Sequence, residues 1–398
     1  MKVLQVYNEQ RSRFGGEPAV VEVTMRVLAE HGHEARLFMK SSRELERSAA
    51  KRFAAFWGGV YNLRARREMR RLLAEFTPDV VHIHSLYPMF SPSILSACRE
   101  AGVPAVMTVH SHNLTCPTWY HLYKGRVCEE CVGGREYRCL VKNCRNNVLE
   151  SAAYALRSGV ARRFRLLHDG LDMLIALTPF AKSRLAMAGF REDRIAVAPN
   201  PSAAPAMPGA RSEGGYIAFA GRMSAEKGVD VLLAAAALMP GVLFKAAGDG
   251  PLLPALKRRA PANVEFLGTL AFDGLVELYR GARALAVPSV WFEQFPMVIA
   301  DAMTLGTPVA ASRIGGLPDI VEDGATGLLF EPGDAAALAE KLRMLWDNPH
   351  MARRMGEAGR EKALRHYTRE AYYKNLLPVY RAAMARTGLH AELVTIGG

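Results

Sequence analysis

The sequence predicts an α/β protein made of two doubly wound parallel sheets, and three observations lead there. Short, β-rich apolar runs alternate with amphipathic stretches of helical period along nearly the whole chain. The alternation stops once, over 199–215, where PNPSAAPAMPGARSEGG carries four prolines and no period, and then restarts. With 398 residues, half of them hydrophobic and 23% charged, the chain is long and apolar enough for two cores.

In the first half the strands are expected at 3–7, 35–39, 80–83, 105–109 and 173–177, with a helix over 20–30 behind Gly15-Gly16-Glu17-Pro18. In the second half they are expected at 216–220, 242–246, 264–267, 284–287, 308–311 and 327–330, and 334–385 reads as helix by period. The expected organisation is a first domain over 1–198, a linker over 199–215 and a second domain over 216–366. A terminal helix from about 367 to 398 is expected to return to the first domain. Sheets of this kind bind ligands at the carboxyl ends of their strands, so the residues just after each run are the candidates for chemistry.

Composition narrows the classes. Lys plus Arg number 51 against 39 Asp plus Glu; up to residue 200 the counts are 30 and 19, and beyond it 21 and 20. The excess of positive charge therefore belongs to the first half, as for a face that meets phosphate or an anionic surface. No stretch of 18 apolar residues and no secretory leader pattern is present, so a cytoplasmic protein is expected. Neither G-x-G-x-x-G after a strand nor G-x-x-x-x-G-K-[ST] occurs, which disfavours dinucleotide oxidoreductases and P-loop ATPases. No nucleic-acid-binding module accompanies the charge, and nucleic acid is not expected as a partner.

Two segments carry the chemistry. Gly221-Arg222-Met223-Ser224-Ala225-Glu226-Lys227-Gly228 follows the first strand of the second half and opens a helix. Its glycines admit a ligand to the backbone, and cations five residues apart can clamp a diphosphate at a helix N-terminus. Read alone, it is equally an ordinary strand-to-helix turn with two solvated cations. The run 289–303 decides between them: Glu293 ends a loop after a strand, Phe295-Pro296-Met297 opens a helix, and Asp301 follows eight positions after Glu293, flanked by Ala300, Ala302 and Met303.

These segments, with Gly306-Thr307-Pro308-Val309 and Gly315-Gly316-Leu317-Pro318, resemble the retaining family 4 glycosyltransferases of GT-B fold. In the first half Gly15, Gly16 and His110 match that family's acceptor-domain loop and active-site histidine. The resemblance spans nearly the whole chain and implies two Rossmann-like domains facing a central cleft. It implies a UDP- or GDP-sugar as donor and a glycan or lipid-linked acceptor, in cell-surface polysaccharide or glycolipid assembly. By motif position Arg222 and Lys227 take the diphosphate, Glu293 lies by the donor sugar, and Gly221, Phe295, Pro296 and Met297 present backbone to sugar or phosphate. Asp301, where the family has Glu, takes the ribose hydroxyls, and His110 contacts sugar. The absence of Asp-x-Asp agrees with catalysis that requires no metal. Two alternatives stand beside this reading: a sugar-nucleotide hydrolase or epimerase of the same fold, and an inactive carbohydrate- or membrane-binding adaptor.

Two further features remain. The stretch 40–71 holds ten Lys or Arg against three Glu, with Phe53, Phe56, Trp57 and Tyr61 interleaved. It reads either as a helix lying on the anionic inner face of the cell membrane, its patch extended by Arg157, Arg162, Arg163 and Arg165, or as a solvated helix with its aromatics in the core. Cys128 and Cys131, with Cys139 and Cys144, are spaced for a structural zinc site; reduced thiols or a labile disulfide are the competing readings.

Overall fold

The computed structural model describes residues 1–9, 16–42, 58–206 and 214–396. The chain divides into two compact units. One is Met1–His121 with Cys128–Ala198 and Tyr372–Gly398; the other is Leu122–Val127 with Pro199–Ala371.

The strands in chain order are β1 (Lys2–Glu9), β2 (Glu34–Ser41), β3 (Val80–Ile83), β4 (Ala105–Thr108), β5 (Leu122–Tyr123), β6 (Arg126–Val127), β7 (Met173–Ala176), β8 (Ile195–Val197), β9 (Tyr216–Ala220), β10 (Phe244–Ala247), β11 (Val264–Gly268), β12 (Ala282–Val287), β13 (Val309–Ser312) and β14 (Gly327–Phe330). Every strand expected from an apolar run is present, with ends displaced by one or two residues at most. The short β8 and the antiparallel pair β5–β6 were not expected, because two or three residues are too few to show a period.

The first sheet has the order β2-β1-β3-β4-β7-β8, with every neighbouring pair parallel. Its inner strands are apolar on both faces, and the period of two divides them between two cores. Leu4, Val81, Met107 and Leu174 enter one core with Met69, Leu73 and Phe76 of helix Leu63–Phe76 and with Leu185 of helix Pro179–Met187. Val3, Val80, Val106 and Ile175 enter the other, against Tyr372, Leu376, Val379, Tyr380 and Ala383. Those five stand at i, i+4, i+7, i+8 and i+11 along helix Arg369–Ile396, which carries the apolar stripe that covers this face.

The second sheet has the order β11-β10-β9-β12-β13-β14, again wholly parallel. Ile217, Phe219, Phe244, Ala286 and Leu328 pack on helices Val229–Ala237 and Ala335–Asp347 through Leu232, Leu233, Leu338 and Leu342. The linker has no regular structure over the described residues 199–206 and 214–215. In each sheet the strand order reverses once, between β1 and β3 and between β9 and β12. Loops leaving the two strands there diverge and open a crevice for a ligand.

Candidate active site

In the second unit the loops on either side of the β9/β12 reversal are the two segments singled out in the sequence. After β9 the chain makes a tight turn at Ala225–Lys227 and enters helix Val229–Ala237 through Gly228, at φ +67. A Cβ on Gly228 would lie 1.7 Å from the carbonyl oxygen of Pro288, so only glycine lets the two loops touch. The Val290 amide donates to the Glu226 carbonyl at 3.0 Å and fastens them together.

The charged side chains are already paired. Lys227 Nζ donates to Glu293 Oε1 at 2.7 Å, and Ser289 Oγ donates to the same oxygen at 2.6 Å. Arg222 Nη2 donates to Glu226 Oε1 at 2.6 Å, and Ser224 Oγ joins it at 2.7 Å. Glu293 is 4% exposed. Burial alone would raise its carboxyl, but the charge of Lys227 and hydrogen bonds from Lys227, Ser289 and Trp291 outweigh burial and hold it below the ordinary carboxylate range. The loop after β13 closes the site: the Gly316 amide donates to the Glu293 carbonyl at 2.8 Å. Gly315, at φ +60, runs so close that a Cβ there would meet the Glu293 amide nitrogen at 2.7 Å.

Pro296 caps helix Met297–Thr304 and Met297 is its first residue, so the amides of Met297 and Val298 stand at the helix N-terminus. Phe295 is buried edge-on against Tyr367, ring centroids 5.2 Å apart, and Gly221 is half-buried with its amide bonded to the Ala247 carbonyl. Asp301 stands differently from expectation. It is buried, and its Oδ1 accepts from Ser202 Oγ and the Ala203 amide at 2.8 Å each and from the Ala204 amide at 3.1 Å. This oxygen ties the first residues of the linker to the helix. Burial pushes the Asp301 carboxyl up, and its three donors pull against that.

In the first unit Gly16 caps helix Glu17–Glu30, while Gly15 lies outside the described residues. Glu17 follows. It is half-buried, and desolvation pushes its carboxyl up to about 8, against a hydrogen bond with Ser85. His110, half-buried beyond the end of β4, has its Nε2 at 3.0 Å from Nδ1 of the buried His84, which follows β3. Desolvation lowers His110 to about 3, so its ring is neutral at physiological pH. Glu226, Ser289, Glu17 and His84 were missed as site residues. The nearest signal in the sequence was their position at strand ends.

The other expectations fare unevenly. Cys131, Cys139 and Cys144 pack with Ala155 and Tyr154, and all six cysteines are free thiols. Burial, then the neighbouring Cys116, Cys144 and Cys128, push the Cys131 thiol up to about 12, so Cys116 belongs to the cluster although its spacing did not mark it. Among the described residues no three His, Cys, Asp or Glu side chains are grouped to hold a metal. Of the basic stretch, residues 43–57 lie outside the described residues, including Phe53, Phe56 and Trp57. In helix Leu63–Phe76, Arg64 pairs with Glu68 and Arg66 with Glu100, leaving Arg67 and Arg71 exposed. Arg157 cannot extend a surface patch. It is buried, its guanidinium 4.3 Å from the Tyr87 ring centroid, 4.6 Å from Tyr154 and 5.3 Å from Trp119, and it donates to the Pro117 carbonyl. Arg162 pairs with Glu136 and Arg165 with Asp169.

Two doubly wound units, the second with paired cations at its strand reversal, define a glycosyltransferase of GT-B fold. The family model for glycosyl transferases group 1 matches residues 204–362, and that for glycosyltransferase family 4 matches 14–201. Together they take up most of the chain, which belongs to the family 4 glycosyltransferases. It is 28% identical to a phosphatidyl-myo-inositol mannosyltransferase of Mycobacterium leprae, with 84% of this chain and 93% of that protein covered. It is also 28% identical to the sulfoquinovosyl transferase of Arabidopsis thaliana, over 78% of this chain but only 58% of that longer protein. Among solved structures, Anabaena HepE in complex with UDP superposes with a TM-score of 0.67 at 17% identity, covering 96% of this chain and 100% of that one. The sucrose-phosphate synthase of Thermosynechococcus elongatus gives 0.68 at 18%, covering 97% and 100%.

Proposed function

We propose that the protein transfers a sugar from a nucleoside diphosphate to an acceptor hydroxyl, with retention at the anomeric carbon, in the assembly of cell-surface polysaccharide or glycolipid. The observation that carries this reading is the pair of cations at the β9/β12 reversal, Arg222 and Lys227, each poised on a buried carboxylate. That HepE has been solved with UDP and with UDP-glucose supports a uridine nucleotide as the first donor to test.

Breaking the bond between the anomeric carbon and phosphate puts negative charge on the departing diphosphate and positive charge on the sugar ring. Fixed cations at the diphosphate therefore bind the transition state more strongly than the ground state. The acceptor oxygen bonds to the anomeric carbon on the face the phosphate leaves, and its proton passes to the departing phosphate oxygen. Neither Glu293 nor His110 serves as nucleophile. In the absence of nucleotide, Glu226 and Glu293 keep the two cations in place; the diphosphate takes over as counter-ion when it binds. These cations supply the charge stabilisation, and activity is expected to survive EDTA. No helix among the described residues is long and apolar enough to cross a membrane. The exposed Arg67 and Arg71 support peripheral association with the anionic inner face of the cell membrane.

The test is incubation with UDP-sugars, then GDP-sugars, and glycan or lipid acceptors, with the anomeric configuration of the product read by NMR. Retained configuration in an acceptor-dependent product supports the reading. Sugar release independent of acceptor marks a hydrolase, and an inverted product contradicts the same-face displacement.

A further inference from the structure

The first unit holds a chain of buried polar side chains that glycosyl transfer as described above leaves unused. From β1, Gln5 presents Oε1 to His84 Nε2 at 2.7 Å and Nε2 to the Tyr380 hydroxyl at 3.4 Å. Tyr380 lies 2.7 Å from His82 Nδ1, and His82 Nε2 lies 2.7 Å from Thr108 Oγ1. At the other end His84 Nδ1 meets His110 Nε2 at 3.0 Å, the two rings stacked at 14°. Gln5, His82 and Tyr380 are fully buried and His84 is 1% exposed.

An amide oxygen only accepts, so His84 must donate from Nε2 to Gln5. Its Nδ1 is then the lone pair, and His110 must donate to it from Nε2. In the other direction the Gln5 amide donates to Tyr380, whose hydroxyl donates to His82 Nδ1, and His82 Nε2 donates to Thr108. Every member of the chain is satisfied in one sense of direction. Burial keeps all three rings neutral, and repulsion from the neighbouring rings adds to it at His82 and His84.

We propose that His84 is the positioning residue for His110: anchored by Gln5, it fixes His110 as the neutral Nε2–H tautomer and leaves Nδ1 as a hydrogen-bond acceptor for a substrate hydroxyl. The catalytic part of this rests on the proposed contact of His110 with sugar. It also has an electrostatic reason. The sugar ring becomes cationic as the diphosphate departs, and a lone pair beside it lowers the barrier where an imidazolium would raise it.

The test is nitrogen-15 NMR of histidine-labelled enzyme at neutral pH without substrate, with His110 assigned by its loss in His110→Asn. Wild type is expected to carry the proton of His110 on Nε2. His84→Leu should release the ring into a tautomer mixture and lower kcat by about 10- to 100-fold, with KM for donor changed less than about threefold. His84→Asn, which keeps an acceptor where Nδ1 stood, should restore most of both. Gln5→Leu, which removes the acceptor that fixes His84, should release His110 into a tautomer mixture in the same way and serves as the informative variant if His84→Leu does not fold. A proton on His110 Nδ1 in wild type, or an unchanged single tautomer in Gln5→Leu, overturns the assignment. Because the tautomer is read without substrate, it is independent of the transfer reaction. The expected tautomer with unchanged kcat in His84→Leu overturns the positioning role.

Discussion

Lys227 and Glu293, 66 positions apart, meet at 2.7 Å because β9 and β12 are neighbours whose outgoing loops diverge. The pair spans the reversal in the second sheet. Glu293 is the more deeply buried partner, so removing either residue has unequal consequences.

Lys227→Ala strands a buried carboxylate, for which a loss of about 3 kcal/mol or more is expected. Glu293→Ala leaves a lysine that still reaches water and should cost less. Both should reduce kcat/KM about 100-fold or more. Thermal unfolding and steady-state kinetics of the two variants and of the double variant check this; equal stability losses would contradict the asymmetry of burial.

Asp301→Ala should destabilise by about 1–3 kcal/mol, since it removes the one oxygen that anchors three donors from 202–204. If that anchor is its main role, the Kd for nucleotide should rise less than about threefold. Calorimetric titration with UDP checks this, and a rise of about 100-fold would return Asp301 to the ribose.

Arg157 is a buried cation held by three aromatic rings. Arg157→Ala should cost about 3 kcal/mol through lost packing and lost cation–π contact. Arg157→Met, which fills similar space without a charge to desolvate, should cost clearly less. Denaturant unfolding of the two variants distinguishes them, and equal losses would show that volume is not what matters there.

Stability should peak near about pH 6.5. His82 is lowered to about 3 and His84 lies well below its ordinary value, both through burial first and neighbouring rings second. Below about 6.5 the unfolded chain takes protons that the folded chain refuses, so stability falls with pH by about 1.4 kcal/mol per unit for each of these histidines. Glu17 acts oppositely. Its folded value is raised to about 8, so between 4.5 and 8 the folded chain keeps a proton that the unfolded chain releases, and stability falls as pH rises through that window. Denaturant unfolding from pH 4 to 9 checks both limbs, and Glu17→Gln should flatten the alkaline one and steepen the acid one between 4.5 and 6.5.

The strands were legible because a parallel sheet covered on both faces needs continuous apolar runs, as at 80–83 and 216–220. Arg222, Lys227 and Glu293 were legible because glycine and proline mark where a loop approaches a helix start. Their pairing was not, since it depends on which strands lie side by side. The same reason hid the alignment of Gln5, His84 and His110 across β1, β3 and β4. Arg157 was read as surface because charge in a sequence gives no sign of three rings closing over it. The bonds from 202–204 to Asp301 were hidden because those donors sit about a hundred residues away.

The claim that Arg222 and Lys227 hold the donor's diphosphate is tested most directly by thermal unfolding with UDP and with GDP, for wild type and for the Arg222→Ala, Lys227→Ala double variant. A nucleotide at 100 times its Kd should stabilise wild type by about 2.7 kcal/mol and leave the double variant unmoved. Equal stabilisation of both proteins would contradict the account.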